Sequence, residues 1–325
     1  MKRREFIAAL LAGLAPASPA IAQGAAKNLR VGFLGASSAS SYGPFVAALR
    51  AGLNDLGYVE GRNLVLESRW ANGDYKRLTD LAAALVGLDV DVIVTHGTPG
   101  ALAAEHATAR IPIVMAIIGD PVAAGVVTSI RNPGRNITGS TFFAPELVAK
   151  RIALVKDAIP AARRVGLLVN PANRVMQSVA EAAGTAAKAT NLELASFEAR
   201  QASEIDSAFA TMAAKRIDAV VIPEDGVLIA NTKQIAALAI AARIPAVGFK
   251  QIAAAGGLLA YGVDIAATFR HAADFVDRIA KGAKPQDLPI ERATRFQLVV
   301  NLKTAKTLGI DIAPKLLAVA DEVIE

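Results

Sequence analysis

Glu224-Asp225 sets two carboxylates side by side after an apolar run, where they could receive an ammonium group or could form a solvated turn. Thr98-Pro99 and Asp120-Pro121 each put a capping residue before a proline at the first helical position. The free N–H groups of such helix starts, with Gly97 beside them, suit a carboxylate. Both residues also read simply as caps, and an aspartate at that place would itself repel an anion. Ser37, Ser38 and Ser41 offer hydroxyls in a polar loop, and Asn170 and Asn173 offer amides. Tyr42, Phe249 and Tyr261 could stack on a ligand ring or could pack in the interior. This is the chemistry of holding a small zwitterion or acid.

Signatures of turnover are missing. There is no G-x-S-x-G elbow and no Walker loop, and Gly32-Phe-Leu-Gly35 falls short of the dinucleotide fingerprint. His96, His106 and His271 are the only histidines and none has metal-ligand spacing to another. Of the three, only His96 stands at a strand end where it could touch a ligand. With zero cysteines, disulfides, thiolate metal sites, a thiol nucleophile and a lipidated anchor are all excluded. No catalytic residue, metal or cofactor is expected. Basic residues are dispersed and aromatics make up 5% of the chain, so no nucleic-acid platform is formed either.

The elements that must position these residues begin after an export signal. Lys2-Arg3-Arg4 is a basic start, Phe6 to Leu14 is an apolar stretch too short to span a bilayer, and Ala20-Ile21-Ala22 is a small-x-small cleavage site. Arg3-Arg4-x-Phe6 also resembles a twin-arginine signal. Lys2, Arg3, Arg4 and Glu5 supply a net +2 of the formal +6, so the mature chain carries about +4. The remainder has no apolar run of spanning length, which predicts a soluble exported protein.

The mature chain repeats itself. Arg30-Val-Gly-Phe-Leu-Gly35 matches Arg164-Val-Gly-Leu-Leu-Val169, and Asn63-Leu-Val-Leu-Glu-Ser68 matches Asn191-Leu-Glu-Leu-Ala-Ser196. Asp91-Val-Ile-Val94 matches Asp218-Ala-Val-Val221, and Arg110-Ile-Pro-Ile-Val114 matches Arg243-Ile-Pro-Ala-Val247. Four matches in one order, about 130 residues apart, indicate two lobes of one architecture. Within each, β-branched runs alternate with helical patterns such as Phe45, Leu49, Leu53 and Leu56 ahead of Gly57. The runs Val90 to Thr95 and Ala219 to Pro223 are almost wholly apolar, as strands buried on both faces of a parallel sheet must be.

The fold class is therefore α/β, with two doubly wound parallel-sheet lobes. The first lobe is expected to end near Thr138 and the second near Tyr261-Gly262. A helix from Ile265 to Ala280 follows, then an extended segment from Arg292 to Leu302 and a helical tail. More than one crossing makes a multi-strand hinge. The expected division is 1–22 signal, 29–138 plus about 263–283 for the N-terminal lobe, and 139–262 plus about 284–325 for the C-terminal lobe. Ligands of such sheets bind outside the carboxyl ends of the strands, which is where the residues named above fall.

The whole chain resembles the substrate-binding proteins of ABC transporters, in the branch associated with tryptophan, tyrosine or unassigned solutes. The resemblance rests on Gly52-Leu-x-x-Leu-Gly-Tyr-Val-Glu-Gly61, on Ala103 to Pro121 with its Ile-Pro-Ile-Val and Gly-Asp-Pro, and on Asn170-Pro-Ala-Asn173. It continues through Gly256-Gly-Leu-Leu-x-Tyr-Gly262, Gly282-Ala-Lys-Pro285 and Asn301-Leu-Lys-Thr-Ala-Lys-x-Leu-Gly309. It implies a type I periplasmic binding fold, capture of a solute between two closing lobes, delivery to an ABC permease in the inner membrane, and no catalysis. The expected solute is a small carboxylate-bearing molecule, an amino acid of aromatic or branched type. Ser37, Ser38, Ser41, Tyr42, Gly97, Thr98, Asp120, Asn170, Glu224, Asp225, Phe249 and Tyr261 are the candidate contacts. The expected setting is the periplasm, as a monomer. The alternative is an exported sensor that presents a small organic acid to a membrane receptor.

Overall fold

The computed structural model describes residues 28–325, so the export signal expected over 1–22 lies outside the described residues. The strands are β1 (Leu29–Gly35), β2 (Leu64–Trp70), β3 (Val92–His96), β4 (Ile113–Ile118), β5 (Ile137–Thr141), β6 (Arg164–Val169) and β7 (Glu193–Glu198). They continue with β8 (Ala219–Val221), β9 (Ala246–Gly248), β10 (Leu259–Val263), β11 (Glu291–Arg292), β12 (Phe296–Asn301) and β13 (Glu322–Ile324). Two sheets result, in the orders β11-β5-β4-β3-β1-β2 and β13-β12-β10-β9-β8-β6-β7. The first is parallel throughout; the second is parallel except where β10 meets β12.

The repeat read from the sequence maps onto this arrangement strand by strand, since β5-β4-β3-β1-β2 and β10-β9-β8-β6-β7 have the same internal order. The matched aspartates do the same work in both halves. Asp91 accepts a hydrogen bond from the Arg30 N–H at 2.8 Å, and Asp218 accepts from those of Arg163 and Arg164 at 2.8 Å. Each carboxylate ties the start of the third strand of its lobe to the start of the first.

The helices are α1 (Ala39–Asp55), α2 (Leu78–Gly87), α3 (Gly97–Ala107), α4 (Ala144–Ala158), α5 (Met176–Ala189) and α6 (Ala202–Ala214). They are followed by α7 (Gly226–Ala230), α8 (Thr232–Ala241), α9 (Lys250–Ala255), α10 (Ile265–Ala280), α11 (Leu302–Leu308) and α12 (Pro314–Ala318). On one face of the first sheet Phe33, Leu49, Leu53, Phe269 and Val276 are buried together; on the other, Leu34, Leu85, Ile93 and Ala101 are. Each large apolar side chain removed from water in this way contributes roughly 1.5–3 kcal/mol.

The chain crosses between the sheets three times: after β5, after β10 and between β11 and β12. The first two crossings lead into long helices, and each packs beside the first helix of the lobe it enters, α4 against α5 and α10 against α1. Strand β5 carries the first sheet to Thr141, beyond the junction expected near Thr138, because Gly139 and Thr141 pair with β4. Strand β11 pairs with β5 and so belongs to the first sheet, although the sequence reading put residues from 284 onward with the second lobe. The extended segment thus splits into two short strands on different sheets. The tail ends in β13, paired with β12, where a helical end was expected.

Candidate functional site

The carboxyl ends of both sheets face one cavity. Its first-lobe wall comes from Ala36, Tyr42, Tyr75, His96, Gly97, Thr98 and Pro99, with Ile117 and Gly119 behind them; its second-lobe wall holds Asn173, Val175, Glu224, Asp225, Gly226 and Ile229. Phe142, Val263 and Ile265 line it where the chain crosses between lobes. The lining thus combines apolar side chains with polar groups contributed by both lobes.

On the first lobe, β3 runs straight into α3. His96 is the N-cap but its side chain makes no capping bond, and Gly97 takes a left-handed φ of 67°, which glycine adopts without the strain a Cβ would bring. The start of α3 is thus left with unsatisfied N–H groups and its positive dipole end beside the cavity. The Thr98 hydroxyl is buried and has no hydrogen-bond partner among the described residues.

His96 lies flat against Tyr42, with ring centroids 4.0 Å apart, and Phe33 and Phe269 pack nearby. The Ala36 N–H donates to His96 Nε2 at 3.2 Å, which requires that nitrogen to be unprotonated. Burial holds the imidazole neutral, with its pKa lowered to about 3. Burial likewise raises the Tyr42 phenol well above its ordinary range, and the charges of Asp225 and Glu224 add to this. Both rings are therefore neutral at physiological pH.

The second-lobe wall is a hydrogen-bonded network. Asp225 caps α7, accepting from the backbone N–H of Val227 at 2.9 Å and of Leu228 at 3.4 Å through Oδ1. Asn170 Nδ2 donates to the same oxygen at 3.2 Å, and Asn173 Nδ2 donates to Oδ2 at 2.9 Å. The remaining donor comes from the other lobe: Tyr75 Oη donates to Asp225 Oδ2 at 2.8 Å. Burial pushes the Asp225 carboxyl up, against the opposing pull of these donors, and pushes the Tyr75 phenol up as well. Glu224 is held by Arg151, whose Nη1 and Nη2 donate to its two oxygens at 2.9 and 2.5 Å. Arg151 is fully buried and also donates to the carbonyls of Tyr261 and Ile222.

Of the residues singled out from the sequence, Tyr42, His96, Gly97, Thr98, Asn173, Glu224 and Asp225 line the cavity. Asn170 stands behind the wall and supports Asp225. Ser38 caps α1 by accepting from the Ser41 N–H, and the hydroxyls of Ser37 and Ser41 pair at 3.0 Å, so this loop closes on itself. Asp120 accepts from the N–H groups of Val122 and Ala123 in a turn, where the sequence suggested the start of a helix. Phe249 is buried in the second lobe. Tyr261 stacks on Phe296 and lines a separate groove with Lys150 and Leu316. Neither Glu224 nor Asp225 is a bare acceptor, because each is already engaged by side chains of the protein.

Tyr75 was not foreseen. It follows β2, in a short turn capped by Asp74. The rule that directs attention to the carboxyl ends of strands applies to that strand as much as to its neighbours, and Asn72-Gly73-Asp74 before Tyr75 is a legible turn signal. Asn173 carries a second buried polar atom of the site, Oδ1, without a partner among the described residues.

Residues 38–324 match the family described as ABC transporter substrate binding protein. The chain belongs to this family. It is similar to a tyrosine-binding protein of Clostridioides difficile (strain R20291), with 27% identity over 79% of this chain and 74% of that one. It is also similar to the solved structure of an ABC domain in complex with L-Trp from Streptococcus pneumoniae, at 25% identity and TM-score 0.86, covering 92% of this chain and all (100%) of the other. A conserved domain protein of Vibrio cholerae matches with 28% identity and TM-score 0.87, over 91% of this chain and 100% of that chain. The fold is that of the type I periplasmic binding proteins. Substrate-binding proteins hold small-molecule ligands, work with ABC permeases and are not enzymes. Among the described residues no helix is long and apolar enough to cross a membrane.

Proposed function

We propose that the protein is the periplasmic component of an ABC importer and that it captures an amino acid with an apolar side chain, aromatic or branched, by closing its two lobes around it. The observation that carries this reading is the distribution of polarity in the cavity. A carboxylate suits the start of α3, where the unpartnered Thr98 hydroxyl and the free backbone amides lie. An ammonium suits the opposite wall, where Asp225 has no cationic partner among the described residues. In the same cavity Ile117, Phe142, Val175, Val263 and Ile265 offer an apolar surface to the side chain. The tryptophan and tyrosine named for its relatives are members of this solute class.

A contact between the lobes supports closure. Tyr75 and Asp225 belong to different lobes and meet directly, so the ligand would be enclosed when this contact forms. A solute drives closure only insofar as it binds the closed form better than the open one. The test is native mass spectrometry of freshly purified mature protein, followed by a thermal-shift screen of amino acids and aromatic acids. A solute at 100 times its dissociation constant is expected to stabilise the fold by about 2.7 kcal/mol. If no amino acid shifts the transition, the amino-acid reading is overturned.

A further inference from the structure

We propose that Asp225 never touches the solute and acts as a positioning residue, turning the Asn173 carbonyl oxygen into the cavity as the acceptor for the ammonium group. The inference rests on the amino-acid reading above and departs from the simpler assignment of the amine to the carboxylate itself. A carboxylate offers about four acceptor sites. Asp225 receives five donors, from Asn170, Asn173, Tyr75 and the N–H groups of Val227 and Leu228. No oxygen is left over for an ammonium unless one of these bonds is broken.

The orientation of Asn173 follows from this saturation. Its amide nitrogen must face Asp225 Oδ2, since a carboxylate only accepts, and the 2.9 Å contact fixes which end of the amide is which. The other end, Oδ1, is then a buried acceptor without a partner on a side chain that lines the cavity and is 4% exposed. A buried polar atom left unpaired in this way costs free energy, and a donor from the solute removes that cost. The Thr98 hydroxyl, unpartnered on the facing wall, provides the matching handle for the other end of the solute.

Glu224 is the weaker competitor, because the buried Arg151 donates to both of its oxygens and neutralises its charge. Asp225 therefore supplies the negative charge of the wall, while Asn173 presents it. An ammonium on Asn173 Oδ1 would sit one amide group away from the carboxylate, within range of an attraction that a low-dielectric site does not screen.

The experiment compares L-tryptophan, L-tyrosine, L-phenylalanine and L-leucine with the same molecules lacking the amino group, by calorimetric titration of the full mature chain. In the wild type the amino acid is expected to bind roughly 10- to 100-fold more tightly than its des-amino partner, the range of a hydrogen bond to a charged group. In Asn173→Ala this ratio is expected to collapse toward one, and Asp225→Asn added to it is expected to lower it no further. A merely structural role for Asn173 would weaken both molecules alike and leave the ratio standing, which overturns the proposal. So does a ratio that survives Asn173→Ala and disappears only in Asp225→Asn. Where truncation to alanine prevents folding, Asn173→Leu fills the same space without an acceptor, and an unchanged ratio there also counts against the inference. Failure of every amino acid to bind the wild type overturns the amino-acid reading instead, before any variant is made.

Discussion

The same place in the scaffold is built in opposite ways in the two lobes. At the end of β3 the first lobe turns directly into α3 through His96-Gly97-Thr98, with neutral rings, free backbone N–H groups and an unpartnered hydroxyl. At the end of the equivalent β8 the second lobe inserts Pro223-Glu224-Asp225 before α7, and both carboxylates are locked in place, one by Arg151 and one by two asparagines. In the function proposed above, the first wall receives the negative group of the solute and the second the positive one. A duplicated lobe thus becomes a receptor for an asymmetric molecule by divergence at one strand end, while the shared devices at the strand starts, such as Asp91 and Asp218, stay alike.

The charged wall depends on Arg151, and breaking it should have the largest effect. Arg151→Ala leaves the Glu224 carboxylate buried without its cation and strips donors from the carbonyls of Tyr261 and Ile222. A loss of about 3–5 kcal/mol in urea-denaturation stability is expected. Replacing both partners with apolar residues of similar size, Arg151→Met with Glu224→Leu, should recover much of it, because the penalty lies in the unpaired charge. If the double variant is as unstable as the single one, the pair is not what organises that wall.

The neutral wall has its own signature, in pH. His96 has its pKa lowered to about 3 in the folded protein, against about 6.5 when unfolded. The unfolded chain therefore binds the extra proton first as pH falls, and stability present above pH 6.5 is lost toward pH 3 at about 1.4 kcal/mol per pH unit. The raised carboxyl of Asp225 works in the opposite direction. Its contribution is fully present below the ordinary carboxylate range and is lost as pH rises through its folded value. Denaturation measured at several pH values should show a flatter acid limb in His96→Phe and a steeper one in Asp225→Asn. An acid limb unchanged by His96→Phe would remove the histidine from this account.

Much of the fold was legible because it is written in periodic, redundant signals. The four matched segments fall on equivalent strands of sheets with the same internal order, and the helix expected from Ile265 to Ala280 has those bounds in the structure. The short pieces were not legible. Two residues of β11 and three of β13 carry too little pattern to announce themselves, and only pairing with β5 and β12 makes them strands. Within the site, residue types at strand ends pointed to the right loops but could not separate a contact from a cap. Ser38 satisfies a helix start and Asp120 a turn, while Thr98, in a sequence setting like that of Asp120, is left unpaired. The difference lies in the left-handed turn at Gly97, which the amino-acid string does not display.

Where the two walls meet, smaller effects are expected. Tyr75→Phe removes the bond from the first lobe to Asp225 and leaves the carboxylate its four other donors. Since the bond exists only when the lobes are together, its loss should weaken solute binding by about tenfold while urea stability of the empty protein changes little. Equal losses in both measurements would mean that the contact stabilises the fold and not closure.

Gly226 probes the same seam more gently. A Cβ built there would lie 3.0 Å from Tyr75 Oη and 3.6 Å from the Cβ of Ala36, both of them on the opposite lobe. The tyrosine hydroxyl is the movable neighbour, so Gly226→Ala forces a shift of a few tenths of an ångström and not a clash with backbone. A loss of affinity of about threefold is expected, roughly 0.6 kcal/mol. Combined with Tyr75→Phe, which removes the crowded oxygen, the alanine should cost nothing further. A full additive loss in the double variant would place the obstruction elsewhere on the seam, and the two walls would then be held apart by Ala36 and not by the tyrosine that joins them.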